Sequence, residues 1–107
     1  MRPLEDSIEG NHLNLSNQGI SNKQVRLICD FLTQNPQINS VDLSNNNISQ
    51  GIVDLAKVKT INSLNLSMNT LDSSSQEAML ALSENTTLTV LDLSKNYIGD
   101  DRATAFK

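Results

Sequence analysis

Apolar residues recur along the chain at fixed offsets within an eleven-residue pattern, with aliphatic residues at the first, fourth, sixth and eleventh positions and Asn at the ninth. The fullest copy is Leu88–Ile98, and two more begin at Ile38 and Ile61. A degenerate copy has Gly10 and Gln18 in place of the first aliphatic residue and the Asn. Alternation at the centre of each copy predicts a short strand with one face in the core. The four predicted strands are His12–Leu15, Ser40–Leu43, Ser63–Leu66 and Val90–Leu93.

The segments between these strands are predicted to return through helices. The first has a capping box over residues 21–24, and its helix is expected to stop at Asn35-Pro36. The third places Ala78, Ala81 and Leu82 on one helical face, with an N-cap among the serines at 73–75. The middle segment is four to five residues shorter than the others, so it holds only about two helical turns.

The repeated pattern and its spacing resemble the leucine-rich repeat family. Equivalent strand positions lie 28, 23 and 27 residues apart (Leu13, Val41, Leu64 and Leu91), and the longer spacings are similar to the ribonuclease-inhibitor type of repeat. The resemblance implies an α/β fold, a right-handed solenoid with short parallel strands on the concave side and helices on the convex side. Residues 1–9, with Leu4 and Ile8 on one apolar stripe, are expected to cap four repeats at 10–37, 38–60, 61–87 and an incomplete 88–107.

The repeat Asn residues are expected to form a buried ladder. The chain turns after each strand, and an amide side chain supplies both donors and an acceptor to buried backbone groups. Asn46, Asn69 and Asn96 fill this position, with Gln18 as a terminal substitute.

The formal net charge of -4, with the basic residues scattered, argues against a nucleic-acid partner or an anionic membrane surface. No long apolar run predicts a membrane span. The single cysteine, Cys29, cannot form an internal disulfide, and extracellular members of the family usually carry cysteine-rich caps. We therefore expect a reducing, cytoplasmic location, or the host-cell cytoplasm if the chain belongs to a secreted bacterial effector.

The family generally binds proteins through its concave face, which implies a partner-binding surface made of outward strand residues and strand exits. The predicted contact residues are His12, Asn14, Ser40, Asp42, Ser63, Asn65, Val90, Asp92, Met68 and Lys95. A row of outward serines, Ser16, Ser44, Ser67 and Ser94, is expected beside them. The alternative is a recognition segment of a larger enzyme or effector, such as a ubiquitin ligase, whose catalytic part lies elsewhere.

No set of residues in the sequence predicts an enzyme, a cofactor or a metal site. The only histidine, His12, is expected near Ser40, but no acid is placed to orient it as in a hydrolase. Cys29 is interpreted as a packing residue of the outer helix. The sequence stops within the predicted outer helix of repeat four, which would leave Leu91, Leu93, Ile98 and Phe106 with a neighbour on one side only. We therefore predict a homodimer through repeat four, or a longer native protein.

Overall fold

The computed structural model describes residues 3–72 and 76–96. Its strands form one five-stranded sheet in chain order, in which β2 to β5 are parallel and β1 pairs antiparallel with β2. A short 3-10 helix, Leu4–Ser7, precedes the sheet. The strands are β1 Ile8–Glu9, β2 His12–Asn14, β3 Ser40–Asp42, β4 Ser63–Asn65 and β5 Val90–Asp92, and the helices are α1 Asn22–Gln34, α2 Ile52–Leu55 and α3 Gln76–Glu84.

The core between sheet and helices is made of aliphatic side chains. The inward residues of β2, β3 and β4 are Leu13, Val41 and Leu64, each at most 1% exposed. The helices contribute Val25, Ile28 and Leu32 from α1 and Ala78, Met79 and Leu82 from α3. Full burial of one such large side chain is worth about 1.5–3 kcal/mol. Coil-on-coil stacking of aliphatic residues therefore supplies most of the stability of this chain, which has no Trp, one Tyr and two Phe.

The predicted Asn ladder is confirmed. The Oδ1 of Asn46 accepts the N–H groups of Gln18 at 3.1 Å and Ile20 at 2.8 Å, in the preceding coil. Its Nδ2 lies 3.0 Å from the carbonyl oxygens of Leu15 and Leu43. Asn69 and Asn96 make the same kind of contacts with their own and the preceding coils. Each of these Asn residues thus joins two coils.

The first return segment follows its prediction. Ser21 is the N-cap of α1, and the capping box with Gln24 is formed. At the other end, the Nδ2 of Asn35 donates to the carbonyl oxygen of Phe31 at 2.8 Å, which occupies a carbonyl that the helix leaves unpaired. The predicted N-cap of α3 among residues 73–75 lies outside the described residues.

The middle return segment has about the two helical turns that its length predicts. α2 itself has only four residues. Hydrogen-bonded turns precede and follow it, from the N–H of Ile52 to the carbonyl oxygen of Ser49 at 3.2 Å and from the N–H of Val58 to that of Leu55 at 3.1 Å. Leu55 and Val58 are both buried, so this short segment still supplies core residues.

The predicted N-terminal cap is confirmed in its position, since Leu4 and Ile8 both pack against the core. Leu4 belongs to the 3-10 helix, whereas Ile8 belongs to β1 and lies opposite Leu13. A turn at Gly10, with φ of 66°, leads into β2. The sequence analysis missed β1, which pairs with the outer backbone edge of β2.

The fourth repeat is described as far as Asn96. β5 continues the register of β4, and Leu93 is 8% exposed while Leu91 is only partly buried. Ile98, Phe106 and the helix predicted from Gly99 lie outside the described residues. The homodimer through this repeat and the repeat boundaries therefore stay predictions.

Candidate binding face

The inner face is the side of the sheet opposite the core, and it consists of two rows of side chains. The pairing register aligns His12, Ser40, Ser63 and Val90 in the first row and Asn14, Asp42, Asn65 and Asp92 in the second. These are eight of the ten predicted contact residues. The parallel register thus brings together residues that are up to 78 positions apart in the sequence.

In the first row, His12 and Ser40 are in contact. Their Nδ1 and Oγ atoms lie 2.7 Å apart. Within the described ranges there is no group of three or more His, Cys, Asp or Glu residues that could hold a metal ion. The next members of the row are Ser63, which is partly buried, and Val90, which is 59% exposed. The row therefore changes from polar at β2 to apolar at β5.

In the second row, every side chain also closes the turn that ends its own strand. The Oδ1 atoms of Asn14, Asp42, Asn65 and Asp92 accept the backbone N–H two residues later, at 3.2, 2.9, 3.0 and 2.9 Å. This is the Asx turn, a local alternative to continued strand pairing. Each strand is one residue shorter than predicted, although the N–H groups of Leu15, Leu43 and Leu66 still donate to the neighbouring strand at 2.8 Å. One oxygen or nitrogen of each terminal group remains available to a partner.

The predicted row of outward serines is only partly outward, because Ser94 is exposed and Ser16 partly buried while the other two are buried. Ser44 and Ser67 are 9% and 7% exposed. The Oγ of Ser67 donates to the Oδ1 of Asn65 at 2.8 Å, as does that of Ser16 to Asn14 at 2.9 Å. These hydroxyl groups support the Asx turns. The recurrent Asn/Asp-Leu-Ser triplet in the sequence is the signal that could have predicted them.

At the strand exits, four residues adopt the left-handed backbone conformation. Asn17, Asn45, Met68 and Lys95 have φ of 57°, 56°, 55° and 58°. Asn tolerates this region, whereas the Cβ of other residues crowds the following carbonyl oxygen. All four side chains are exposed, and the Nδ2 of Asn45 donates to the Oδ1 of Asn17 at 3.1 Å. Met68 and Lys95 thus lie exposed just beyond the strand ends, and their role as contact residues stays a prediction.

The electrostatics of the inner face depend on Asp42 and Asp92, two coils apart with Asn65 between them. The O–H and N–H of Ser94 donate to the Asp92 carboxylate and lower its pKa below the ordinary value of 3.8, with slight burial opposing them. On the outer side, burial raises the pKa of Cys29 to about 11, helped by the nearby carboxylates of Asp54 and Asp30. The thiol is therefore uncharged at neutral pH, which agrees with its interpretation as a packing residue.

Comparisons with known proteins agree with this architecture. The family profile described as Leucine Rich repeat matches residues 84–106, and a second one, Leucine Rich Repeat, matches residues 37–57. Among solved structures, a chain in "Crystal structure of LRIM1/APL1C complex" superimposes with a TM-score of 0.64 and 29% identity over 85% of this chain. The fold is a leucine-rich-repeat solenoid. The profile matches and the solved structure together support the leucine-rich repeat family.

The solenoid spans only 18% of the length of that solved chain. No curated protein matches it. In the described residues, no helix has the length and apolar character needed to cross a membrane.

Proposed function

We propose that this leucine-rich-repeat chain is an interaction module that binds a partner protein through the inner face. Leucine-rich repeats generally mediate protein–protein interaction, and the similar solved chain comes from a protein complex. The observation that carries the proposal is the alignment of seven polar side chains and the exposed Val90 in two rows on four strands held in register. A rigid backbone presents these groups without the entropy cost of ordering a loop on binding.

The second row provides an alternating pattern of partner-facing groups. With Oδ1 used in each Asx turn, the remaining atoms are the Nδ2 donor of Asn14, an oxygen of Asp42, the Nδ2 donor of Asn65 and an oxygen of Asp92. Neighbouring strands lie about 4.8 Å apart, so the two carboxylates are roughly 10 Å apart. A partner surface with acceptors opposite the amides and cations opposite the carboxylates fits this row.

The Asx turns define the variant that tests the proposal. Replacing Asp42 and Asp92 by Lys would remove the turn acceptors together with the charges. The double variant Asp42→Asn/Asp92→Asn keeps an Oδ1 at each turn, as Asn14 and Asn65 already do, and removes only the charges. The matched control is Glu77→Gln/Glu84→Gln, which removes two exposed carboxylates of α3.

The measurement is quantitative proximity labelling and pull-down with the wild-type chain and both double variants. We expect a set of proteins that the inner-face variant loses and the α3 variant retains. Isolated partners should then bind the inner-face variant roughly tenfold more weakly. Loss of the same proteins with the α3 variant, and retention with the inner-face variant, would place the site on the outer side.

Three finer assignments belong to the same proposal. The 13-residue α1 supports the ribonuclease-inhibitor type of repeat. The half-buried free thiol of Cys29 supports a reducing, cytoplasmic compartment. A binding role without catalysis is supported by the likeness to leucine-rich repeats, which generally act as binding modules.

A second proposal is a recognition segment within a larger enzyme or bacterial effector. It is supported by the 18% share of the similar solved chain that this solenoid covers. The length of the native reading frame and the presence of a catalytic domain in it decide between the two.

A further inference from the structure

A groove of about 500 Å³ lies on the outer side of the solenoid, between α1 and the short second return segment. Its α1 wall consists of Arg26, Cys29, Asp30 and Thr33. Residues spaced by three and four lie on one side of a helix, so these four form a single stripe. The stripe is separate from the core-facing stripe of Val25, Ile28 and Leu32.

α1 and the second return segment are in close contact at their N-terminal ends. The Oδ1 of Asn22 accepts the N–H groups of Ser49 at 3.0 Å and Gly51 at 2.9 Å. A Cβ at Gly51 would lie 2.9 Å from the Cγ2 of Val25. α2 ends after one turn, at Leu55, whereas α1 continues for 13 residues in all. The later turns of α1 face the groove, whose far wall is the end of the second return segment.

The charges of the groove differ from those of the rest of the chain. Three of the five Lys and Arg residues in the described ranges line it, namely Arg26, Lys57 and Lys59. Only two of the ten Asp and Glu residues there do so, Asp30 and Asp54. The rest of the described chain has eight carboxylates and only two Lys or Arg residues. The groove is therefore locally positive in an acidic chain, and all three of its cations are exposed.

We propose that this groove is a second interaction site, separate from the inner face, and that it binds a short acidic peptide segment of a partner protein. Carboxylate side chains of the segment would lie against Arg26 on one wall and against Lys57 and Lys59 on the other. The half-buried Cys29 on the α1 wall and the buried Val58 on the other wall provide apolar surface for an aliphatic side chain of the segment.

The mixed walls favour a peptide over a small anion. Asp30 and Asp54 would repel a compact anion such as phosphate, because their carboxylates line the same space as the cations. A peptide backbone instead offers N–H donors to these carboxylates while its acidic side chains reach the cations. The length of the stripe, from Arg26 to Thr33, is about two helical turns, roughly 10 Å, which matches three extended residues.

The test is an NMR titration of the ¹⁵N-labelled 107-residue chain with a blocked peptide in which two glutamates flank a leucine. We expect the backbone amide signals of the α1 stripe and of residues 57–60 to shift and to saturate at millimolar peptide concentrations. Lys57→Gln/Lys59→Gln should weaken binding about tenfold. Thr33→Trp, which fills the groove without changing its charge, should abolish binding. Lys23→Gln, which removes an α1 cation outside the groove, should leave it unchanged.

Four outcomes would overturn the proposal. They are equal binding of the peptide with glutamine in place of glutamate, displacement of the peptide by inorganic phosphate at equal concentration, shifts confined to the inner face, and no saturable shift in the millimolar range. The inner-face variant Asp42→Asn/Asp92→Asn should bind this peptide like wild type. Failure of the groove proposal therefore leaves the inner-face proposal standing, and the reverse holds as well.

Discussion

The inner and outer sides of this solenoid differ in how regularly they repeat from coil to coil. On the inner side, β2 to β5 each have three residues, the same register and the same Asx turn. On the outer side, the described helices have 13, 4 and 9 residues. The inner side repeats almost without change, whereas the outer side varies more than threefold in helix length.

The difference has a physical cause in the bonds that join neighbouring coils. On the inner side, neighbouring coils are joined by backbone hydrogen bonds and by the Asn ladder. The lengths of these bonds leave no room for an additional residue within the strand or the turn. Outer coils touch mainly through side chains, so a return segment can lose a turn if its core residues still reach the interior. Leu55 and Val58 show this, because both are buried although α2 is a single turn. Variation on the outer side can thus create a groove without disturbing the inner rows.

The largest expected effect comes from breaking the Asn ladder. Asn46→Ala leaves two backbone N–H groups and three carbonyl oxygens without their amide partner, so unfolding should become easier by about 3 kcal/mol. The matched control is its neighbour Asn47→Ala, an exposed side chain in the same turn. Urea denaturation measures both. Equal midpoints for the two variants would contradict the buried, bonded role of Asn46.

Sequence reasoning succeeded at positions of the repeat that only one kind of residue can occupy. The aliphatic spacing predicted the four strands and their register, and Asn at the ninth position predicted the ladder. It failed for β1, because two residues are too few to show alternation. The length of the middle segment predicted about two turns, but not that only four of its residues are α-helical, because length does not say how soon Leu55 and Val58 must both enter the core.

The inner face was predicted by position and only partly by role. The eight strand residues lie where alternation places them, yet the structural use of Asn14, Asp42, Asn65 and Asp92 in Asx turns was missed. The left-handed backbone at Met68 and Lys95 has no signal in those residue types. It follows from their equivalence to Asn17 and Asn45, which does carry a signal.

A smaller effect is expected on the outer side, at the close contact of the first two coils. Gly51 has φ of −59°, a conformation open to every residue, so Gly→Ala would ordinarily stabilise by about 0.4–1 kcal/mol. Here the new Cβ would lie 2.9 Å from the Cγ2 of Val25 and 3.0 Å from the Oδ1 of Asn22. Val25 is β-branched within a helix and has little rotamer freedom.

We therefore expect Gly51→Ala to destabilise by about 1–2 kcal/mol through overpacking. Gln50→Ala, at the exposed neighbouring residue, serves as the control. Thermal denaturation shows whether the melting temperature falls or rises. A Gly51→Ala variant that melts at a higher temperature would show that the coils are not held in this contact.

The smallest effect concerns the four strand exits. They share one backbone conformation, but two of them have Asn and the other two have Met68 and Lys95. Lys95 has φ of 58°, and a Cβ in this region costs roughly 1 kcal/mol that Asn largely avoids. Lys95→Asn should therefore raise the free energy of unfolding by about 1 kcal/mol, or the melting temperature by roughly 5 °C. Little burial is lost, since Lys95 is exposed.

Lys95→Ala separates the backbone from the charge. It removes the same amine and the same side chain, but it keeps a Cβ in the left-handed region, so no comparable gain is expected. The reverse change at the matching exit, Asn45→Lys, should cost about 1 kcal/mol plus a few tenths for the exposed bond to Asn17. Equal stabilities of Lys95→Asn and Lys95→Ala would mean that the strand exits relax without cost, and that only the buried turn positions of the inner side are under strict backbone control.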